Sequence, residues 1–420
     1  MIFQKKQYTN KELIKIWTEK SKERSTAKYV QDVYEGNIEK YLREYLKQIL
    51  EVCNRDLDST PLMYDINICK AVVKKEAILY QSPLDRDFLN VSDSEKSFLK
   101  DFYANKKINN IALQVNRLVR LLGGVLIAFD GEEIKIITKK NYIKLDDMFL
   151  FSFSENELSH TAIDRTFYAY SVASDELYFC DKKGIFSSVN SENLFIFEIA
   201  KAENELDSGL ASYTVSVNAS LTDIKNTIHH QAFAQPFIKT NAENVPSERI
   251  NVGKSEVVHL KTSADGSSEE FGFITPNADI GGAIDYIKLE ASLFAQSRGL
   301  AMNDIIGSES KKSFTSALDR LLSMADDYKT ATEDKDFMID FENNLFNAII
   351  LIYGLNSEAS LSITYYEPEI TRTISEKIDD NLKLESIGAQ TRRETIAKIK
   401  DISIDNVDDD LINEAQVDEA

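Results

Sequence analysis

Histidine and cysteine are both scarce in this chain of 420 residues, with four of the first and three of the second. Cys53, Cys69 and Cys180 are odd in number and widely spaced. They argue against a disulfide framework, suit a reducing compartment, and form no CxxC pair. His229 and His230 are adjacent, so on a helix they point about 100° apart, and only His160 and His259 remain to complete any metal site. No HExxH pattern and no nucleophile elbow is present, which leaves zinc hydrolysis and a Ser-His-Asp arrangement without support. Positive charge is short as well: 49 basic residues stand against 69 acidic ones, a net charge of −20. Such a field repels nucleic acid and anionic membrane, which excludes a DNA-coating protein and confines any DNA contact to a local basic element. Long apolar runs are also missing. The longest, Leu345 to Leu355, contains Asn347 and falls short of the roughly 18 residues a membrane span needs. The opening Met1 to Tyr8 has no hydrophobic signal core, so the expectation is a soluble intracellular protein without a membrane partner.

Hydrophobic residues make up 43% of the chain, enough for a sizeable core, and the length allows about two to three domains. The first 120 residues read as helical. Leu13, Ile16 and Trp17 share one stripe; Tyr41, Leu42, Tyr45, Leu46 and Ile49 share another. A helix is predicted from Asn67 to Tyr80, stopped by Ser82-Pro83, and a further one near Asn105 to Leu122, ended by Gly123-Gly124. From Val125 to Ile199 the pattern turns to short strands at 125–129, 134–137, 167–170 and 194–199, with Asp130-Gly131 as a hairpin turn. A helix from about Ser220 to Phe233 follows. Strands at 237–239, 256–260 and 271–274 then form a small β insertion before a second helix, Asp279 to Arg298, with Ile284, Ile287, Ala291 and Phe294 on one face. Phe314, Leu318, Leu321 and Leu322 restart a helical period, and Phe337, Phe341, Leu345, Ile349 and Ile352 carry it to Gly354. A strand at Leu361–Tyr366, a helix near Thr373 to Leu384 and another near Gln390 to Lys400 precede an acidic end.

Motifs with chemical meaning are few. Gly253-Lys254-Ser255 mimics the end of a phosphate-binding loop, but Glu248 stands where the first glycine is needed and a strand follows instead of a helix. Asp405, Asp408, Asp409 and Asp410 lack the glycine and the terminal glutamate of a calcium loop. No cofactor and no metal ligand set emerges, and no catalytic residue is assigned. What remains is the polar segment Asn303 to Lys312, where Lys311 and Lys312 sit with Ser308 and Ser310 between two long helical patterns. Lysines at a loop tip with hydroxyl neighbours meet backbone phosphates without reading sequence.

The order of these pieces carries a resemblance. Tyr80-Gln81-Ser82-Pro83 closes an early helix, and Phe102-Tyr103-Ala104-Asn105-Lys106 leads to Gly123-Gly124 and a β-meander. Two helices, Ser220 to Phe233 and Asp279 to Arg298, bracket the insertion from Gln235-Pro236-Phe237-Ile238 to Pro276. Arg298-Gly299-Leu300-Ala301-Met302-Asn303 leads into the polar loop, and Ser313-Phe314-Thr315-Ser316-Ala317-Leu318 leaves it. Leu361 to Pro368, Gly388 and Thr391 to Thr395 close the series. In this order the chain resembles the portal proteins of tailed bacteriophages, in the shorter class. It departs from them in lacking a proline after Leu300 and in carrying Thr315-Ser316 where Ser-Gly is usual.

The resemblance implies an α+β portal fold: a mainly helical wing and stem, a β-rich wing meander and a small β clip, built to form rings. It places the wing at 1–218, the first stem helix at 219–235 and the clip at 236–277. The second stem helix then lies at 278–300, a tunnel loop at 301–312, a spine helix with a closing strand at 313–370, and a crown region at 371–420. It further implies a virion protein at one capsid vertex, a homo-oligomer commonly of twelve copies. Double-stranded DNA would pass through the channel in packaging and ejection. The partners would be the terminase large subunit, the major capsid protein and a head-tail connector or adaptor. Lys311, Lys312, Ser308 and Ser310 would face the DNA, and the protein would be no enzyme. The alternatives are a soluble hydrolase using a carboxylate pair from the β region, and another capsid-associated adaptor.

Overall fold

A computed structural model describes residues 8–52, 63–80, 84–153, 166–190, 193–202, 205–231, 235–240, 251–252, 255–256, 258–261, 270–274, 280–298, 317–365, 391–392 and 394. It has mixed α+β architecture and divides into two compact units, residues 1–308 with 331–364, and residues 309–330 with 365–420. In the second unit the described part includes Thr391 and Glu394, which cap each other. The Thr391 hydroxyl accepts from the Glu394 N–H at 3.3 Å, and the Glu394 carboxylate accepts from the Thr391 N–H at 2.7 Å.

The first unit opens with helices α1 (Asn10–Glu19), α2 (Ser21–Glu35), α3 (Glu39–Val52) and α4 (Ile68–Glu76). Leu13, Trp17, Leu42 and Leu46 are buried, as their spacing predicts. The helix expected to run to Tyr80 ends at Glu76. Leu79 and Tyr80 turn into the core instead, and the Tyr80 hydroxyl reaches Glu342 at 3.1 Å. After strand β1 (Asp85–Leu89) come α5 (Asp93–Asn105) and α6 (Ile108–Leu122). Ile108, Ala112, Val115, Leu118 and Val119 form the buried side of α6, which stops at Gly123 with φ of +75°.

Strands β2 (Gly124–Phe129), β3 (Ile134–Thr138), β4 (Tyr142–Leu145), β5 (Met148–Phe151), β6 (Phe167–Ser171), β7 (Glu176–Cys180), β8 (Phe186–Val189) and β9 (Phe195–Ala200) follow. They form two antiparallel sheets, ordered β3-β2-β9 and β4-β5-β6-β7-β8. Every residue of β2 is buried. Alternation sends Leu126 and Ala128 to one side, into a cluster with Phe149, Phe151 and Tyr170 of the larger sheet. Phe129 points the other way and meets Phe102 of α5 edge-on, with ring centres 6.1 Å apart. The far face of the larger sheet presents Leu150, Phe167 and Ala169 to Leu13 and Trp17 of α1, with Trp17 stacked on Phe167 at 5.0 Å. The turn between β2 and β3 is longer than the two-residue hairpin expected. Phe129 pairs with Ile134, and the Asp130 carboxylate accepts from the N–H groups of Glu132 and Glu133 at 2.9 and 2.7 Å.

Next comes helix α7 (Ser208–Gln231), then β10 (Gln235–Thr240), β11 (Asn251–Val252), β12 (Ser255–Glu256), β13 (Val258–Lys261) and β14 (Glu270–Ile274), then helix α8 (Ile280–Ser297). Strand β10 lies between β13, parallel to it, and β14, antiparallel to it. Strands β11 and β12 pair on either side of Gly253-Lys254, so that motif joins two strands and starts no phosphate-binding helix. Helix α9 (Ala317–Tyr353) runs 37 residues, and β15 (Ser360–Thr364) returns to pair with β1. Phe337, Phe341, Leu345 and Ile349 of α9 are all buried.

Candidate functional site

Between the β-rich part and the longest helix lie a helix, a β module and a second helix. Helix α7 starts at Ser208, twelve residues before the predicted Ser220. Asp207 caps it, its carboxylate accepting from the Leu210 N–H at 3.1 Å. Its first half is enclosed on nearly every side: Leu210, Ala211, Tyr213, Val215, Val217 and Ala219 are buried, and so are Thr214, Asn218 and Thr222. Those three polar residues recur every fourth position and therefore share one face. The Thr214 and Thr222 hydroxyls donate to the carbonyls of Leu210 and Asn218, at 2.9 and 2.7 Å. Asn218 binds the backbone of Ile66 twice, accepting from its N–H and donating to its carbonyl, both at 2.8 Å. The Thr222 hydroxyl accepts from the Tyr64 N–H at 3.1 Å. The short segment around Tyr64 and Ile66 is thus laid along α7 by hydrogen bonds, where apolar packing would not fix its register.

Helix α8 lies antiparallel to α7. Phe294 near its end stacks flat on Tyr213 near the start of α7, with ring centres 3.9 Å apart. Arg298, just past α8, makes a forked pair with Glu76 of α4 at 2.9 and 3.0 Å, and also reaches Asp207 at 2.7 Å. Burial alone would pull this guanidinium down, but the two carboxylates more than offset it and its pKa is raised. Three helices are tied at one arginine, at the end of the pair opposite the β module.

Burial runs the other way along the pair. Ala291 and Ala295 face α7, while Tyr286, Leu289 and Leu293 are 64%, 57% and 59% exposed on a second face of α8. Of the predicted stripe, Ala291 is buried, Ile287 and Phe294 are half-buried and Ile284 is exposed. The sequence period marked one apolar face, and the helix has two.

The part of α9 that belongs to the first unit, residues 331–353, is fixed to the rest of that unit by buried ion pairs. Arg86 grips Glu342 at 2.6 and 3.0 Å, with both side chains nearly inaccessible. Arg120 meets Asp334 at 2.8 Å. At Asp334 burial outweighs the attraction of Arg120 and raises the carboxyl pKa to about 6. Asp334 borders a cleft of about 470 Å³ shared with Arg120, Lys201, Glu333, Asp336 and Asp340.

Lys311, Lys312, Ser308 and Ser310 lie outside the described residues, as do His160, Cys53, the whole of 301–312 and Asp405 to Asp410. The side chains of His229 and His230 are likewise not described. Cys69 and Cys180 are buried free thiols, and burial raises both, Cys69 to about 12 and Cys180 to about 11. Among the described residues no cluster of His, Cys, Asp and Glu could hold a metal, and no helix is long and apolar enough to cross a membrane. Comparison with models of protein families and with curated proteins finds no match.

Proposed function

We propose that this chain is the subunit of a bacteriophage portal, a closed ring through which double-stranded DNA enters and leaves a capsid. What supports this most is α8, packed on α7 through Ala291, Ala295 and Phe294, yet presenting Tyr286, Leu289 and Leu293 to solvent. An apolar stripe left open on a helix that is already packed on its other side calls for a partner. In a ring, each subunit buries such a stripe against the next through a heterologous contact, and rotation closes the series. The antiparallel pair α7/α8 then serves as the stem and β10 to β14 as the clip, facing the terminase large subunit and later the head-tail connector or adaptor. The helical and β-rich body before α7 serves as the wing toward the major capsid protein. Lys311 and Lys312, with Ser308 and Ser310, serve as the loop contact to passing DNA. The net charge of −20 keeps the remaining wall from holding the duplex. The protein acts as a conduit and catalyses no reaction of its own.

The test is the mass of the assembly. Leu289→Glu with Leu293→Glu changes only exposed positions, so the subunit retains its fold while the contact is lost. Sedimentation velocity is expected to show a large ring for the unchanged protein and monomers for the double variant. Rings of equal size in both would remove α8 from the interface.

A further inference from the structure

The seam between α6 and α9 leaves three buried polar atoms unmatched. Asp334 of α9 is only 1% exposed; its Oδ2 accepts from the Arg120 Nε at 2.8 Å, and its Oδ1 has no hydrogen-bond partner. Asn116 stands one turn before Arg120 on α6 and is wholly buried. Its carboxamide rests against the Asp334 carboxylate, yet neither its Oδ1 nor its Nδ2 has a partner at hydrogen-bond geometry. Buried polar groups are ordinarily matched, so orphans gathered at one point call for an explanation.

A proton supplies the missing match. An ionised Asp334 can only accept, so it offers nothing to Asn116 Oδ1; the neutral acid, protonated on Oδ1, donates its O–H there while Oδ2 stays on Arg120. Arg120 opposes the proton most strongly, followed by Lys201. The Lys201 ammonium donates to the Arg120 carbonyl at 2.7 Å and is also drawn by Glu76 and Asp207. On the open side, Glu333, Asp336 and Asp340 are exposed along the cleft of about 470 Å³ that Asp334 borders, and they keep that side acidic. Burial outweighs Arg120 and Lys201 and holds the Asp334 carboxyl up at about 6.

We infer that this seam is a proton-operated latch: proton uptake at Asp334 Oδ1 makes a hydrogen bond to Asn116 Oδ1 and tightens residues 331–353 of α9 on α6. The proton comes from solvent, one O–H bond forms and the carboxylate charge is lost. Because the folded pKa lies above the ordinary carboxylate value of about 4, the added hold is fully present below about pH 4 and is lost as pH rises through about 6. The latch lies within one subunit and is independent of the contact made by α8.

Hydrogen exchange of the full-length protein at pH 5 and pH 7.5, each corrected for intrinsic exchange at that pH, tests this. Amides of 331–345 and 116–122 should be about tenfold better protected at pH 5, the factor that pKa values of about 6 closed and about 4 opened give there. In Asp334→Asn the side-chain amide donates to Asn116 without titrating, so this gain should vanish. Asn116→Leu keeps Asp334 buried but removes its acceptor; the gain should shrink, whereas burial alone would leave it whole. If the leucine variant does not fold, Asp334→Asn carries the test. Equal protection at the two pH values, an undiminished gain in either variant, or a gain spread evenly over the chain overturns the proposal.

Discussion

Arg86 and Glu342 meet where both side chains are nearly inaccessible to water, and each makes the other tolerable there. Removing one partner leaves an uncompensated buried charge, so Glu342→Ala should lower stability by about 3–5 kcal/mol, read by chemical denaturation. An exposed pair such as Lys15 with Glu19 should contribute far less. Asp334 supplies a pH signature. Its folded-state pKa is raised to about 6, so the folded protein holds the proton more tightly than the unfolded chain does. The stability tied to this proton is fully present below the ordinary carboxylate pKa of about 4 and is lost as pH rises through about 6. In Asp334→Asn the gain in stability between pH 7 and pH 4.5 should therefore be smaller than in the unchanged protein, measured as the shift in denaturation midpoint. An equal gain would place the titration elsewhere. Neither pair is visible in the sequence, because Arg86 with Glu342 and Arg120 with Asp334 are separated by more than two hundred positions. In a chain with 118 charged residues no local pattern selects them.

At the level of elements, periodicity located what one-sided burial produces. Helix α6 and the buried stripe of α9 follow their apolar spacing, while β2, buried on both faces, shows as a continuous apolar run. The first half of α7 escaped because it is enclosed on nearly every side and rich in Thr214, Val215, Ser216 and Val217, residues with modest helix preference. A helix buried on nearly every side has no solvent-exposed polar stripe to reveal its period. Helix α5 was legible in principle, since Ser92 and Glu95 form a reciprocal cap, the Ser92 hydroxyl accepting from the Glu95 N–H. The turn between β2 and β3 contains Asp-Gly, but the Asp130 carboxylate organises two further residues, which dipeptide preference alone does not foretell. The polar face of α7 is the part that needs the structure most. Asn218→Ala would strip both hydrogen bonds from the Ile66 backbone and should cost about 2 kcal/mol. Hydrogen exchange should show the greatest loss of protection at Ile66 and its neighbours. Protection lost evenly along the chain would mean that Asn218 does not fix this segment.

For the whole molecule, the open stripe on α8 is the observation on which the proposed contact between copies of the chain rests. The order of helix, β module and helix was readable because glycine, proline and polar segments separate its parts. The antiparallel packing of α7 on α8, held at Arg298, was not, since Glu76, Asp207 and Arg298 come from distant stretches of chain. Electron microscopy of the purified full-length protein tests the central claim most directly. Closed rings with an open central channel are the expected result; a monodisperse monomer at high protein concentration would contradict it.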